Sequence, residues 1–163
     1  MFSPQIKLIC FDFDGVFTDS KIYLGSKDVK LKACNVKDMY GLEILHKRGI
    51  KTAILTDNDF DYIDHEYFSN NIQSLTHEEN ITNTTKLQQL ITFKNKLDLN
   101  WNQIAYMGDD IDDLECLKKV GISACPADSS QEVQKICFWV SDYNGGKGAV
   151  RHFIRYLSNS GSI

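Results

Sequence analysis

Proline is nearly missing. Pro4 and Pro126 are the two in 163 residues, so no proline-rich linker divides the chain. C-x-x-C pairs are missing too. The five cysteines, Cys10, Cys34, Cys116, Cys125 and Cys137, are odd in number and scattered. That argues against a zinc site or a disulfide framework, and for reduced thiols in a cytosolic setting. No apolar run approaches the ~20 residues of a membrane span. The opening Met1-Phe2-Ser3-Pro4 has neither the charged nor the apolar region of a signal peptide, so a cytoplasmic location and no membrane partner are expected. A basic excess is also lacking. Lys plus Arg number 18 against 22 Asp plus Glu, a formal charge of −4. Phosphate backbones need a basic face, so no nucleic-acid partner is expected. Repeats and low-complexity tracts are absent. What remains is 42% hydrophobic and 25% charged, the make-up of an ordinary globular protein and, at this length, of one domain over 1–163.

Short apolar runs alternate with helix-like segments. Residues 6–11 form a strand-like run ending in Asp12-Phe13-Asp14-Gly15. Residues 22–24 and 29–34 flank Gly25-Ser26-Lys27-Asp28 and read as a hairpin. Asp38 is placed to cap a helix carrying Met39, Leu42 and Leu45 on one face, stopped near Gly49. Further strands are expected at 51–56, 72–75, 104–107, 122–124 and 138–140. Further helices are expected at 59–68, 84–97, 114–120 and 150–157. Unbroken apolar strands alternating with helices imply an α/β fold, a doubly wound parallel sheet covered on both faces. The hairpin follows its first strand, and no large cap domain is foreseen.

Asp12, Thr56 and Asp109 each fall at the carboxyl end of an expected strand, the edge at which open α/β sheets bind ligands. Any one of them alone reads as a cap for the following helix. Together with Asp14 and the run Asp109, Asp110, Asp112 and Asp113 they imply a crevice lined with carboxylates. Such groups repel unless they share protons or hold a cation. A hard, oxygen-binding ion such as Mg²⁺ fits two carboxylates, water and a substrate phosphate. An ionised aspartate beside it can attack phosphorus, and a lysine can offset the charge of the transferring group. Lys86, opening the helix between the Thr56 and Asp109 strands, is the candidate. Taken singly it is a solvated surface lysine.

These residues carry a signature. Asp12-Phe13-Asp14-Gly15-Val16-Phe17-Thr18-Asp19 resembles the first motif, D-x-D-G-V-x-T-D, of the haloacid dehalogenase superfamily of phosphatases. Thr56 resembles the second, Lys86 the third, and Gly108-Asp109-Asp110-Ile111-Asp112-Asp113 the fourth. The hairpin, Asn35-Val36-Lys37-Asp38 with Gly41, and Gly145-Gly146-Lys147-Gly148-Ala149-Val150-Arg151 resemble the capless branch that acts on eight- and nine-carbon keto-sugar acid phosphates. Residues 113–135 also resemble the carboxyl-terminal domain of animal CMP-sialate synthetases. On that likeness, sialic-acid-type nonulosonate 9-phosphates are the first expectation. The resemblance implies that Asp12 is the nucleophile and Asp14 the acid and then base. It implies that Asp12, the Asp14 main-chain carbonyl and Asp109 hold Mg²⁺, with Asp110 and Asp113 in support. Thr56 and Lys86 would bind the phosphoryl group. It further implies a homotetramer built on the hairpins, in which Lys37, Lys147 and Arg151 reach a substrate, the tail serving a neighbour's site.

The chain departs from that pattern after Thr56. Asp57-Asn58 replace Gly followed by Arg or Glu, and Asp59, Asp61, Asp64 and Glu66 stand where basic residues are usual. Lys37, His65, Lys147 and Arg151 are available to compensate. Two rival readings remain: a catalytically weak or inactive oligomerisation or regulatory module, as in the synthetase domains, and a phospho-aspartate receiver domain. Receivers place an acidic pair before the phosphorylated Asp, the reverse of the order here.

Overall fold

The structure is a computed structural model and describes residues 5–26, 30–55 and 84–163. Its first strand, β1 (Leu8–Phe11), is buried at all four residues. It lies between β4 (Lys51–Ile54) and β5 (Ile104–Met107), parallel to both. The strands β6 (Ile122–Cys125) and β7 (Trp139–Val140) complete a five-stranded parallel sheet in the order β4-β1-β5-β6-β7. Central parallel strands bury both faces, which is why their sequences are continuous apolar runs rather than alternating ones.

Alternation appears instead in which core each residue feeds. Ile9, Phe11, Ala105 and Met107 face one hydrophobic cluster with Met39, Leu42 and Leu45 of α1 (Val36–Lys47) and Phe153, Ile154 and Leu157 of α5 (Ala149–Asn159). Leu8, Cys10, Ile104 and Tyr106 face a second cluster. There α2 (Lys86–Lys96) supplies Leu90 and Phe93, α3 (Leu114–Leu117) supplies Cys116 and Leu117, and α4 (Gln131–Ile136) supplies Val133. Helices thus cover both faces, the doubly wound arrangement expected. Between β1 and α1 stands the small antiparallel hairpin of β2 (Tyr23–Leu24) and β3 (Lys30–Leu31), closed at its base by a Thr18–Cys34 bridge. No cap domain is present among the described residues. Among them, too, no helix is long and apolar enough to cross a membrane.

Local chemistry explains several boundaries. Asn35, not Asp38, caps α1, its side chain accepting from the Lys37 N–H at 2.9 Å. Asp38 lies in the first turn of α1, fully buried, and caps a different helix. Its two oxygens accept from the N–H groups of Gly148 and Arg151 at 3.0 and 2.8 Å, at the start of α5. Close packing of the two helices follows at Gly41, where an added Cβ would stand 2.7 Å from Ile154 Cδ1. The helix expected over 114–120 is a 3-10 turn, Ile111–Asp113, running into the short α3. The helix α4 goes beyond what the sequence pattern predicts. The expected helix at 59–68 and strand at 72–75 lie outside the described residues, as do Thr56, Asp57, Asn58 and His65.

Candidate active site

The register Phe11↔Met107 brings the ends of β1 and β5 side by side. Asp12 continues that ladder, its N–H donating to Met107 O at 2.9 Å, and it is 6% exposed. Past β5, Gly108 and Asp109 sit at the same edge. The loop after Asp12 makes a tight turn, with the Phe17 N–H donating to Phe13 O at 2.9 Å. That turn presses Gly15 against Asp109. Gly15 has φ +78°, and an added Cβ would lie 1.8 Å from Asp109 Oδ2. Here glycine is required twice, by a left-handed backbone and by contact.

Lys86 is the first residue of α2, whose N-cap Thr85 forms a capping box with Gln88. Its ammonium lies 3.0 Å from Asp12 Oδ1, 2.7 Å from Asp112 Oδ2 and 2.9 Å from Asp113 Oδ1, and the side chain is 4% exposed. Burial pulls the Lys86 pKa down. Asp12 and Asp113 outweigh that, and the pKa rises. Lys86 is a fixed cation, not a proton carrier.

Asp113 is fully buried and fully used. Oδ1 accepts from Lys86 and from the Tyr106 hydroxyl, and Oδ2 accepts from the N–H groups of Asp109 and Asp110. It orients the loop that carries Asp109. Asp110 caps the 3-10 turn, accepting from the Ile111 N–H at 2.8 Å.

Oxygens of Asp12, Asp109 and Asp113 lie within 4.8 Å of one another. With Asp113 spent on its donors, Asp12 and Asp109 are, among the described residues of this cluster, the two with oxygens to offer an ion. Both are strained as anions. Asp12 is raised well above the usual carboxylate range by burial, then by Asp113, despite Lys86. Asp109 is raised to about 7, by burial and then by Asp113, despite its hydrogen bond with Asp12. A buried and a half-buried carboxylate that must otherwise share a proton are an all-oxygen site for a hard divalent cation. The residues therefore fit Mg²⁺.

Asp14, the second carboxylate of the first motif, is held by the hairpin. Oδ1 accepts from Thr18 Oγ1 at 3.1 Å, and Oδ2 pairs with Lys32 Nζ at 2.6 Å. Neither Lys32 nor Tyr106 is singled out by sequence reasoning. Tyr106 carries one usable signal, a hydroxyl within an otherwise apolar strand two residues before the fourth motif.

The tail residues also converge. Lys37, Lys147 and Arg151 line one cavity of about 210 Å³ with Tyr143, His152 and Arg155, and among the described residues no carboxylate lines it. Gly145 and Gly146 seat this segment on the chain's own catalytic loop. The Gly146 N–H donates to Val16 O at 3.0 Å, and a Cβ on Gly145 would stand 1.8 Å from Gly15 O.

A parallel sheet in which an inner strand ends in the buried Asp12, with the partly buried Asp14 just beyond it, facing a lysine and a second acidic strand end, suits a hydrolase of phosphate esters. The chain belongs to the haloacid dehalogenase-like hydrolases, matching that family over residues 27–154, and within it is a phosphomonoester hydrolase. It is 32% identical over 149 residues to the 3-deoxy-D-manno-octulosonate 8-phosphate phosphatase KdsC of Salmonella typhi, covering 91% of this chain and 77% of that one. A probable yrbi family phosphatase from Pseudomonas syringae superposes with a TM-score of 0.87 at 30% identity, covering 99% and 90% of the two chains. The 3-deoxy-D-manno-octulosonate 8-phosphate phosphatase from Moraxella catarrhalis, solved with a magnesium ion, a phosphate ion and a KDO molecule, superposes at 0.86 with 26% identity. It covers 97% of this chain and 88% of that one.

Proposed function

We propose that this chain is a Mg²⁺-dependent phosphatase for a keto-sugar acid phosphate, acting through a phosphorylated Asp12. The observation that carries the reading is the Lys86 ammonium held between Asp12 and Asp113 at the sheet edge. A cluster of that cost suits a site built to receive a phosphoryl group.

An oxygen of Asp12 attacks phosphorus, and the bond from phosphorus to the sugar oxygen breaks. Asp14 gives that oxygen its proton. Water then attacks the phosphorus of the aspartyl phosphate, Asp14 takes a proton from it, and the P–O bond to Asp12 breaks to release phosphate. Lys86 stays charged throughout and offsets the charge on the equatorial oxygens. Thr56 is assigned to the same phosphoryl group. Asp12, Asp109 and the Asp14 main-chain carbonyl would hold Mg²⁺, which would supply positive charge for the nucleophile and the phosphoryl oxygens. Asp110 and Asp113 support that site.

For the substrate, the names of the relatives favour an octulosonate 8-phosphate over the nonulosonate 9-phosphate first expected from the carboxyl-terminal likeness. Both carry a carboxylate. The cavity of Lys37, Lys147 and Arg151 supports recognition of such a group, whether in its own subunit or in a neighbour's within a homotetramer. Each charged hydrogen bond there is worth about 1–3 kcal/mol. A cytoplasmic location suits the five free cysteines. The inactive-module reading is not favoured, since every acidic residue it would have shed is retained.

The test is phosphate release with Mg²⁺ from octulosonate 8-phosphate, N-acetylneuraminate 9-phosphate and hexose phosphates, beside Asp12→Asn. Turnover of one keto-sugar acid phosphate, absent in the mutant and without metal, is expected. Equal silence of both proteins, folded and supplied with Mg²⁺, would overturn the reading.

A further inference from the structure

The hairpin does more than protrude from the sheet edge. Lys32 leaves the end of β3 and returns to Asp14, eighteen residues earlier, where its Nζ lies 2.6 Å from Oδ2. Its side chain is 8% exposed, and the ammonium stands 5.7 Å from the centre of the Phe13 ring. The other Asp14 oxygen accepts from Thr18, at the opposite limb of the hairpin. The Thr18 hydroxyl oxygen in turn accepts from the N–H groups of Gly15 and Ser20 at 3.3 and 3.2 Å. The Thr18–Cys34 bridge ties the two limbs together. The carboxyl is thus clamped from both limbs of one element.

Exposed ion pairs contribute little, and a desolvated lysine costs more than an apolar side chain filling the same space. A lysine buried against the Asp14 carboxyl is therefore poorly explained by stability. It is well explained by the need to fix a group that must meet the leaving oxygen within hydrogen-bond reach.

Resting on the reading of Asp14 as acid and base, we propose that Lys32 is its positioning residue. The return limb of the hairpin fixes the rotamer of the carboxyl that protonates the departing sugar oxygen. Lys32 itself touches neither phosphate nor leaving group. Its importance therefore scales with how much the leaving group needs a proton. A sugar alkoxide needs one as the P–O bond breaks, whereas 4-nitrophenolate departs without help.

The experiment compares kcat/KM on the keto-sugar acid phosphate and on 4-nitrophenyl phosphate, with Mg²⁺, for wild type, Lys32→Met, Lys32→Arg and Asp14→Asn. Methionine keeps the buried stem over Phe13 and removes the charge. Lys32→Met is expected to lose about 100-fold on the sugar phosphate, the scale of a displaced catalytic group, and less than about threefold on the aryl ester. Lys32→Arg is expected to recover most of the loss. Equal losses on both substrates, or a full sugar-phosphate rate in Lys32→Met while Asp14→Asn has lost its own, would overturn the proposal and leave the phosphatase reading standing. If Asp14→Asn itself shows no difference between the two substrates, the acid–base role of Asp14 falls, and this proposal falls with it.

Discussion

Lys86 supplies one positive charge to three carboxylates, and all but Asp112 are out of water. The balance is lopsided. Removing a surface lysine from a pair changes stability by at most about 1 kcal/mol. Removing this one strands Asp12 and Asp113 with no cation, and breaking a buried pair in that way costs about 3–5 kcal/mol. Lys86→Met is therefore expected to lower the urea midpoint strongly in metal-free buffer at neutral pH. It should lose activity on aryl and sugar phosphates alike, because the phosphoryl group is common to both. A stability loss below about 1 kcal/mol would show that the cluster is already relieved by shared protons. Tyr106 belongs to the same argument. Its hydroxyl, fully buried, has Asp113 as acceptor, and burial first and that carboxylate second push its pKa well up, so it remains a donor.

Between elements, the tie that matters most is Asp38 of α1 on the first turn of α5. A carboxylate there meets the positive end of the helix and two N–H groups that otherwise lack partners. Burial still dominates, and the Asp38 pKa lies above the ordinary range even with the N–H groups of Arg151, Gly148 and Val150 pulling it down. The sign follows. A carboxyl whose folded pKa exceeds its unfolded value, about 3.9, gives its full stability below the unfolded pKa and loses it as pH rises through the folded one. Asp38→Asn offers an amide group where an acceptor is needed, and is expected to cost about 1–3 kcal/mol. Urea titrations from pH 4 upward should show the gap between wild type and mutant narrowing as pH rises through the raised pKa. A gap that widens with pH would mean that the N–H groups outweigh burial. This tie also shows what the sequence could and could not reveal. Asp38 sits among helix signals, so it reads as the cap of its own helix, and its true partner is 110 residues away. Strands β1, β5 and β6 were legible because two-sided burial demands unbroken apolar runs. The helix α4 was not, because Gln131-Glu132-Val133-Gln134-Lys135-Ile136 buries only Val133. Asp12, Lys86 and Asp109 were legible because each follows or opens an element in a fixed order. The pairing of Lys32 with Asp14 depends on how the hairpin folds back, and spacing along the chain does not carry it.

At the scale of the molecule, the hairpin is incomplete as a free element. Two-stranded hairpins are marginal alone in water, and here both two-residue strands are exposed throughout. Leu24 is 79% and Leu31 60% exposed, with Ile22 and Tyr23 about half exposed beside them. On α1, Val36 and Tyr40, one turn apart, are exposed as well. Apolar side chains gathered on a projecting hairpin favour association with like surfaces. The assembly expected is the homotetramer, with hairpins packed together. Wild type should sediment as a tetramer at micromolar concentration, and Leu24→Asp with Leu31→Asp should yield smaller species with unchanged helix content. The kinetics of that double variant then separate two arrangements of the basic cavity. If Lys37, Lys147 and Arg151 serve a neighbour's site, KM for the sugar acid phosphate rises on dissociation while hydrolysis of 4-nitrophenyl phosphate persists, since Asp12, Lys86 and Asp109 all lie within one chain. If they serve their own subunit, both activities survive dissociation together. A wild type that sediments as a monomer would remove the neighbour from the site altogether, leaving the cavity beside Gly145 and Gly146 to act on its own catalytic loop.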